Sequence, residues 1–307
     1  MENKITYSLV VPVYNSSGTL VNLYERIQAV FKKLQETYEI IFVDDASKDD
    51  SWKVLEGLRN REKQVKILQL SRNFGQHNSI MCGFNFANGE YVITLDDDLQ
   101  NPPEEIPKLI KMIKEGYDVV YGTYVKKRHS LIRNFGSRFI QWLYKKVFRL
   151  KNNLTSFRII KSEIVKSIIS FDKNYCFIDG LLAWNTTNIG FIEVEHKKRE
   201  HGRSGYSFCK LLNLSMNMVT NFSLVPLQIA SVLGFVFSIF GFIMTISIFL
   251  KKLFFDISVS GYTSLIIAIT FFSGIQLFCL GLIGEYIGRI HLNINEKPQF
   301  SIRKKLL

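Results

Sequence analysis

Two nearly unbroken apolar runs, at about 227–250 and 262–285, constrain this chain more than any other feature. A helix needs roughly 20 residues to cross the ~30 Å hydrocarbon layer of a bilayer, and each run is long enough. Helices in the core of a soluble protein rarely stay apolar all round for such a length. The connection at 251–261 is short, so the two helices form a hairpin whose ends face the same side of the membrane. Lys197, Lys198, Arg199 and Arg203 precede the pair, while Arg289, Lys297, Arg303, Lys304 and Lys305 follow it. Positive flanks stay inside, which puts both termini in the cytoplasm and the hairpin in the inner (plasma) membrane. Lys251 and Lys252 in the connection argue mildly the other way.

The expected organisation is therefore a cytoplasmic domain (1–206), a juxtamembrane amphipathic helix (207–224), the hairpin (225–288) and a basic cytoplasmic tail (289–307). The formal net charge of +12 points to a polyanionic partner: nucleic acid, a phosphorylated substrate or an anionic membrane face. No nucleic-acid-binding motif accompanies the charge, and the membrane accounts for it, so no nucleic-acid partner is expected. The 4 cysteines show no CxxC spacing, as in a reduced cytosolic domain. The first apolar stretch is too short for a signal peptide.

Within the first 206 residues the pattern is strand, turn, helix, repeated. Residues 6–13 read as a strand buried on both faces, and a helix at 19–36 follows the turn at 14–18. A second strand (39–43) ends in Asp44-Asp45-Ala46-Ser47, and a third (65–70) ends in Ser71-Arg72-Asn73-Phe74-Gly75. This repetition predicts an α/β fold with a parallel-type sheet and helices on both faces. Polar residues collect after each strand, along the edge where open α/β sheets bind ligands. The first turn is not GxGxxG and no GxxxxGK[ST] is present, so neither a dinucleotide fold nor a P-loop is indicated.

The fourth strand, from Tyr91 to Leu95, runs into Asp96-Asp97-Asp98, followed by Gln100 and the Pro102-Pro103 stop. In an extended chain Asp96 and Asp98 share one face and Asp97 takes the other. With Gln100 they form an oxygen-rich site for Mg²⁺ or Mn²⁺ that leaves positions open for substrate phosphates. The bland alternative is a solvated acidic turn; the position at a strand's carboxyl end weighs against it.

Two basic amphipathic helices are expected, at 130–150 and 207–223, with aromatics that suit an interface beside anionic lipid. The loop 196–206 is rich in Gly and positive charge and reads as an anion binder or as a plain juxtamembrane linker.

In order along the chain, Val-Val-Pro-Val-Tyr-Asn (10–15), Val-Asp-Asp-Ala-Ser (43–47), Ser-Arg-Asn-Phe-Gly (71–75) and Asp-Asp-Asp-Leu-Gln-Asn-Pro-Pro (96–103) occur. Ser-Phe-Arg (156–158), Arg-Glu-His-Gly-Arg-Ser-Gly-Tyr-Ser (199–207) and the hairpin complete the set. Together they resemble the family-2 glycosyltransferases that load sugar onto polyprenyl phosphate, the dolichyl-phosphate mannose synthase and undecaprenyl-phosphate glycosyltransferase group. The resemblance implies a GT-A fold, a homo-oligomer, a nucleotide-diphosphate sugar donor (uridine in the bacterial members) and an undecaprenyl phosphate acceptor. Carried over position by position, Asp45 would read the base, with Pro12, Tyr14, Asn15, Asp44, Arg72 and Asp97 lining the donor site. Asp96, Asp98 and Gln100 would hold the metal. Arg133, Ser137 and Arg158 would meet the lipid phosphate, and Arg199, Ser204 and Tyr206 would close over the donor. Asp96, Asp98, Arg133 and Arg199 would be the catalytic set.

Two positions depart from the family pattern: Ser156 stands where many members have an acid, and Tyr124 where some have Arg. The chemistry tolerates the first, since a phosphate monoester with a second pKa of about 6 is already mostly dianionic at neutral pH. A strong general base is then unnecessary, and positioning with charge neutralisation suffices. Two other readings stand beside this one. A processive polysaccharide synthase would share the early motifs but carry Gln-x-x-Arg-Trp and more membrane helices, which this sequence lacks. A non-catalytic membrane module would bind nucleotide or anionic lipid without consuming a nucleotide sugar.

Overall fold

A computed structural model of the chain describes residues 5–124, 154–170, 176–196, 225–254, 261–294 and 298–307. The interface helices expected at 130–150 and 207–223 and the loop 197–206 lie outside the described residues. Two compact units divide the chain: Met1–Tyr206 together with Glu296–Leu307, and Ser207–Asn295.

The first unit opens with β1 (Tyr7–Val13), α1 (Leu20–Leu34), β2 (Tyr38–Asp44), α2 (Ser51–Arg61), β3 (Val65–Leu70), α3 (Gln76–Phe84) and β4 (Tyr91–Thr94). A short 3₁₀ turn (Pro103–Glu105), α4 (Ile106–Ile113), β5 (Val119–Thr123), β6 (Arg158–Lys161), α5 (Ser162–Ile169), α6 (Ile178–Asn185) and β7 (Ile189–Glu193) follow. β8 (Ile302–Leu306) completes one 8-stranded sheet of order β7-β5-β6-β4-β1-β2-β3-β8.

The expected parallel core is present: β1 pairs in parallel with β2 and β4, β2 with β3, and β5 with β7. β6 and β8 run against it. β6 is the strand made by the residues after Ser-Phe, and its reversal brings its first residues to the edge where the parallel strands end. Val13 O accepts from Asp45 N at 2.8 Å and Val10 O from Leu95 N at 3.4 Å, so Pro12 faces β4 at a level that β4 does not reach. A residue without an N–H belongs there.

Both faces of the sheet are covered. Leu9, Val11 and Val13, with Ile40 and Phe42, form one core with Leu23 and Ile27 of α1, Leu55 of α2 and Leu109 of α4. Val10 and Val43 point the other way, under α3, which lies so close that a Cβ on Gly83 would sit 2.3 Å from Val10 Cγ1. At the N-terminal edge Glu39 is 2% exposed, accepts from Ser8 Oγ at 2.6 Å and Asn88 N at 2.7 Å, and pairs with Lys66 Nζ at 2.6 Å. A buried carboxylate is tolerated because each neighbour supplies a donor or a charge.

A second buried charge ties β6, β5 and α6 together. Arg158 is 1% exposed; its guanidinium pairs with Asp179, its Nε donates to Thr94 Oγ1 at 3.2 Å, and Tyr121 Oη donates to Asp179 Oδ1 at 3.0 Å.

The tail expected at 289–307 is ordered differently from a plain basic extension. Ile302–Leu306 pairs antiparallel with β3, Ser71 N donates to Ser301 O at 2.8 Å, and Arg59 Nη2 donates to Leu307 O at 2.6 Å. Arg303, Lys304 and Lys305 leave this outermost strand charged and exposed, which discourages further strand addition.

The described residues of the second unit form α7 (Val225–Phe254) and α8 (Tyr262–Ile294), 30 and 33 residues long, or roughly 45 and 50 Å at 1.5 Å per residue. The 18-residue window Phe271–Gly288 has a mean hydropathy of 1.4 and is long and apolar enough to cross a membrane; α7 carries a shorter apolar stretch, Ala230–Met244. Phe237 meets Phe271 and Phe272 edge-on, with ring centroids 6.1 and 6.5 Å apart. Large side chains such as Phe235 and Leu277, each 69% exposed, face outward.

Gly83→Ala is expected to destabilise the chain by about 1–3 kcal/mol despite alanine's better helix propensity, because the added methyl overpacks Val10. Thermal unfolding of the purified protein measures it, and Val10→Ala in the same chain should recover part of the loss. Asp179→Ala, which strands a buried guanidinium, should cost about 3–5 kcal/mol. Arg158→Met combined with Asp179→Leu should recover most of it in the same assay.

Candidate active site

Because β1 to β4 are parallel, the loops that follow them share one edge, and hydrogen bonds knit these loops into one surface. Asn15 N donates to Ser47 Oγ at 2.9 Å and Asn15 Oδ1 accepts from Lys48 N at 2.8 Å. Ser16 N donates to Ser51 Oγ at 2.9 Å and Ser17 N to Asp49 Oδ2 at 3.0 Å. Tyr14 is 45% exposed, and its N–H donates to Asp97 Oδ2 at 3.1 Å.

Three residues on this edge, Asn15 (φ 54°), Ala46 (φ 56°) and Leu99 (φ 60°), hold the left-handed conformation without being glycine. They follow β1, β2 and β4. Such strain persists where surrounding contacts enforce it, and it concentrates at functional sites.

β4 ends at Thr94, so the acidic triplet lies in a turn and strand alternation does not orient it. Its carboxylates nevertheless go separate ways. Asp97 turns toward β1, where Thr19 Oγ1 also donates to the Asp97 carbonyl at 2.7 Å. Burial pushes the Asp97 carboxyl up to about 6, and Asp96 and Asp98 push the same way against the donors from Ser16 and Tyr14. Asp97 thus joins two loops. Asp96 accepts from Gln76 Nε2 at 2.6 Å and from Ser156 Oγ, and Asp98 Oδ1 accepts from Gln100 N at 3.1 Å.

The paired carboxylates after β2 also divide. Asp44 is fully buried and spent on structure: Oδ1 accepts from Ser47 N at 3.0 Å and Oδ2 from Gln69 Nε2 at 3.1 Å. It turns the chain rather than facing a donor, against the expectation for it. Asp45 accepts from Phe74 N at 2.7 Å and Gly75 N at 2.8 Å, so it shapes the loop that carries Arg72. Burial raises the Asp45 carboxyl, and those two N–H groups pull it back. Arg72 is exposed with its guanidinium 4.7 Å from the Phe74 ring centroid.

On the other side of the triplet lie the start of β6 and the ends of β5 and β7. Ser156 is there, hydrogen-bonded to Asp96. Tyr124 stacks on His196 with centroids 4.1 Å apart and planes 11° off parallel. Its hydroxyl pKa is raised by burial and by the Asp96 charge. Arg158 is a correction: its guanidinium is enclosed against Asp179, with no face left for a lipid phosphate. Arg133, Ser137, Arg199, Ser204 and Tyr206 lie outside the described residues. Gln76, Ser156 and Thr19 hold the triplet, yet sequence reading gave none of them such a role; neutral side chains carry no chemical signal until their partners are known.

Asp96 and Asp98, partly exposed on one turn, are hard oxygen donors suited to Mg²⁺ or Mn²⁺. Among the described residues no group of three His, Cys, Asp or Glu forms a closed metal cage.

Residues 8–167 match the family model described as glycosyl transferase family 2, and residues 225–290 match one described as the GtrB C-terminal hairpin. The chain is 38% identical over 307 residues to an undecaprenyl-phosphate 4-deoxy-4-formamido-L-arabinose transferase of Proteus mirabilis, covering 98% of this chain and 94% of that protein. It is 35% identical over 314 residues to the uncharacterized glycosyltransferase YkcC of Bacillus subtilis, covering 99% and 95%. Among solved structures, S. aureus TarS 1–349 in complex with UDP-GlcNAc is similar with a TM-score of 0.50 at 20% identity, covering 70% of this chain and 66% of that one. Glucosyl-3-phosphoglycerate synthase from Mycobacterium tuberculosis in complex with UDP gives a TM-score of 0.50 at 15% identity, covering 71% and 79%. These two likenesses speak to the fold. The chain belongs to glycosyl transferase family 2, with a GT-A catalytic domain and a GtrB-type C-terminal hairpin.

Proposed function

We propose that this enzyme moves a sugar from a nucleotide-diphosphate donor, of the UDP type, onto undecaprenyl phosphate at the cytoplasmic face of the plasma membrane. The observation that carries the reading is the acidic turn after β4, which divides the sheet edge in two. On one side Tyr14, Asn15, Asp45 and Arg72 sit on loops already bonded to one another. A nucleoside fits that half. On the other side, at the ends of β5, β6 and β7, Ser156 and Tyr124 stand beside Asp96, and the acceptor is assigned to that half. The Proteus mirabilis relative, named an undecaprenyl-phosphate transferase and matched over 94% of its length, supports a lipid phosphate as the acceptor.

In the reaction the bond from the anomeric carbon to the diphosphate breaks and a bond to a lipid-phosphate oxygen forms, with inversion. Asp96 and Asp98 would hold a divalent cation, which when bound neutralises charge on the departing nucleoside diphosphate. Gln100 stands in the same turn as a further oxygen donor. The acceptor needs no strong base, which accords with Ser156 in place of an acid. Arg133 and Ser137 are proposed to orient the lipid phosphate, and Arg199, Ser204 and Tyr206 to cover the donor. Both helices of the second unit are taken to span the bilayer, with both termini cytoplasmic and the protein a homo-oligomer.

The test is incubation of the full-length protein in detergent with a panel of nucleotide sugars, undecaprenyl phosphate and Mn²⁺ or Mg²⁺. A lipid-linked monosaccharide formed in step with nucleoside diphosphate supports the proposal; donor consumption without a lipid product overturns it. Asp98→Ala is expected to lower turnover by at least about 100-fold while moving Tm by less than about 2 °C. Removing divalent ions with EDTA should abolish transfer, and adding Mn²⁺ should restore it.

A further inference from the structure

Asp96 is gripped from two sides by neutral side chains. Gln76 Nε2, from the first residue of α3, donates to Oδ1 at 2.6 Å. Ser156 Oγ, two residues before β6, donates to Oδ2. The serine is itself anchored: its carbonyl accepts from Thr94 Oγ1, which accepts from Arg158 Nε at 3.2 Å, and Arg158 is locked to buried Asp179. A relay of polar contacts therefore runs from the interior to one oxygen of Asp96, while α3 supplies the grip on the other.

A carboxylate torsion is soft, and two donors on opposite oxygens fix it. Both donors are neutral. A lysine at either place would hold the carboxylate equally well but would cancel the charge that draws a cation, and an acid at position 156 would repel Asp96. The two neutral donors fix orientation and add no positive charge of their own.

We propose that Gln76 and Ser156 are positioning residues that hold Asp96 in the orientation in which a divalent cation meets it; this rests on the reading of Asp96 and Asp98 as the metal site. Outer partners of this kind typically change metal affinity or activity 10–100-fold when removed.

The test is Mn²⁺ titration of the full-length protein in detergent by calorimetry, with thermal unfolding of each variant in metal-free buffer. Gln76→Ala and Ser156→Ala should each weaken Mn²⁺ binding about 10–100-fold with Tm within about 2 °C of the parent, and Ser156→Thr, which keeps the hydroxyl, should restore the affinity. If the parent binds Mn²⁺ in a manner abolished by Asp98→Ala yet both alanine variants bind as the parent does, the positioning role is overturned and the metal site stands. If parent binding is indifferent to Asp98→Ala, both fall. Should Ser156→Ala fail to fold, Gln76→Ala, at an exposed helix start, decides the matter alone.

Discussion

β4 stops opposite Val10 while β1 runs on to Val13. This unequal length creates the step in which the acidic turn sits, with Pro12 and Tyr14 beside it and the carboxylates projecting over the sheet edge. Parallel pairing does the rest, because it delivers the turns after β2 and β3 to the same edge and lets each brace the next. One of the two antiparallel strands, β6, enters from the opposite direction and brings Ser156 to Asp96. The site is therefore a product of strand polarity before it is a product of any individual side chain.

Much of this was legible in the residues. Strands buried on both faces announce a parallel sheet, so β1 to β4 and the helices between them were readable, as were the hairpin and the acidic turn. The reversed strands were not. β6 is short, and the direction of a strand depends on partners distant in the chain; β8 is mostly basic and looks like a tail until β3 is beside it.

Site residues were harder for a related reason. Asp44 and Asp45 are adjacent and chemically identical, yet one closes a turn and the other ties down a loop 30 residues away. An arginine beside a motif reads as an anion ligand, and Arg158 departs from that because Asp179, 21 residues on, meets it in the interior. Composition reports what a side chain can bind, and burial decides what it does bind.

The helices α7 and α8 interrupt the catalytic unit in the chain, since the sheet's last strand comes after them. During synthesis the other seven described strands emerge first, and one flank of β3 stays uncovered until the two helices have followed. Closure of that flank, hydrogen-bonded next to the arginine-bearing loop at Ser71, is thereby made contingent on the helices having been translated. The catalytic unit's sheet is therefore completed only once both helices have left the ribosome.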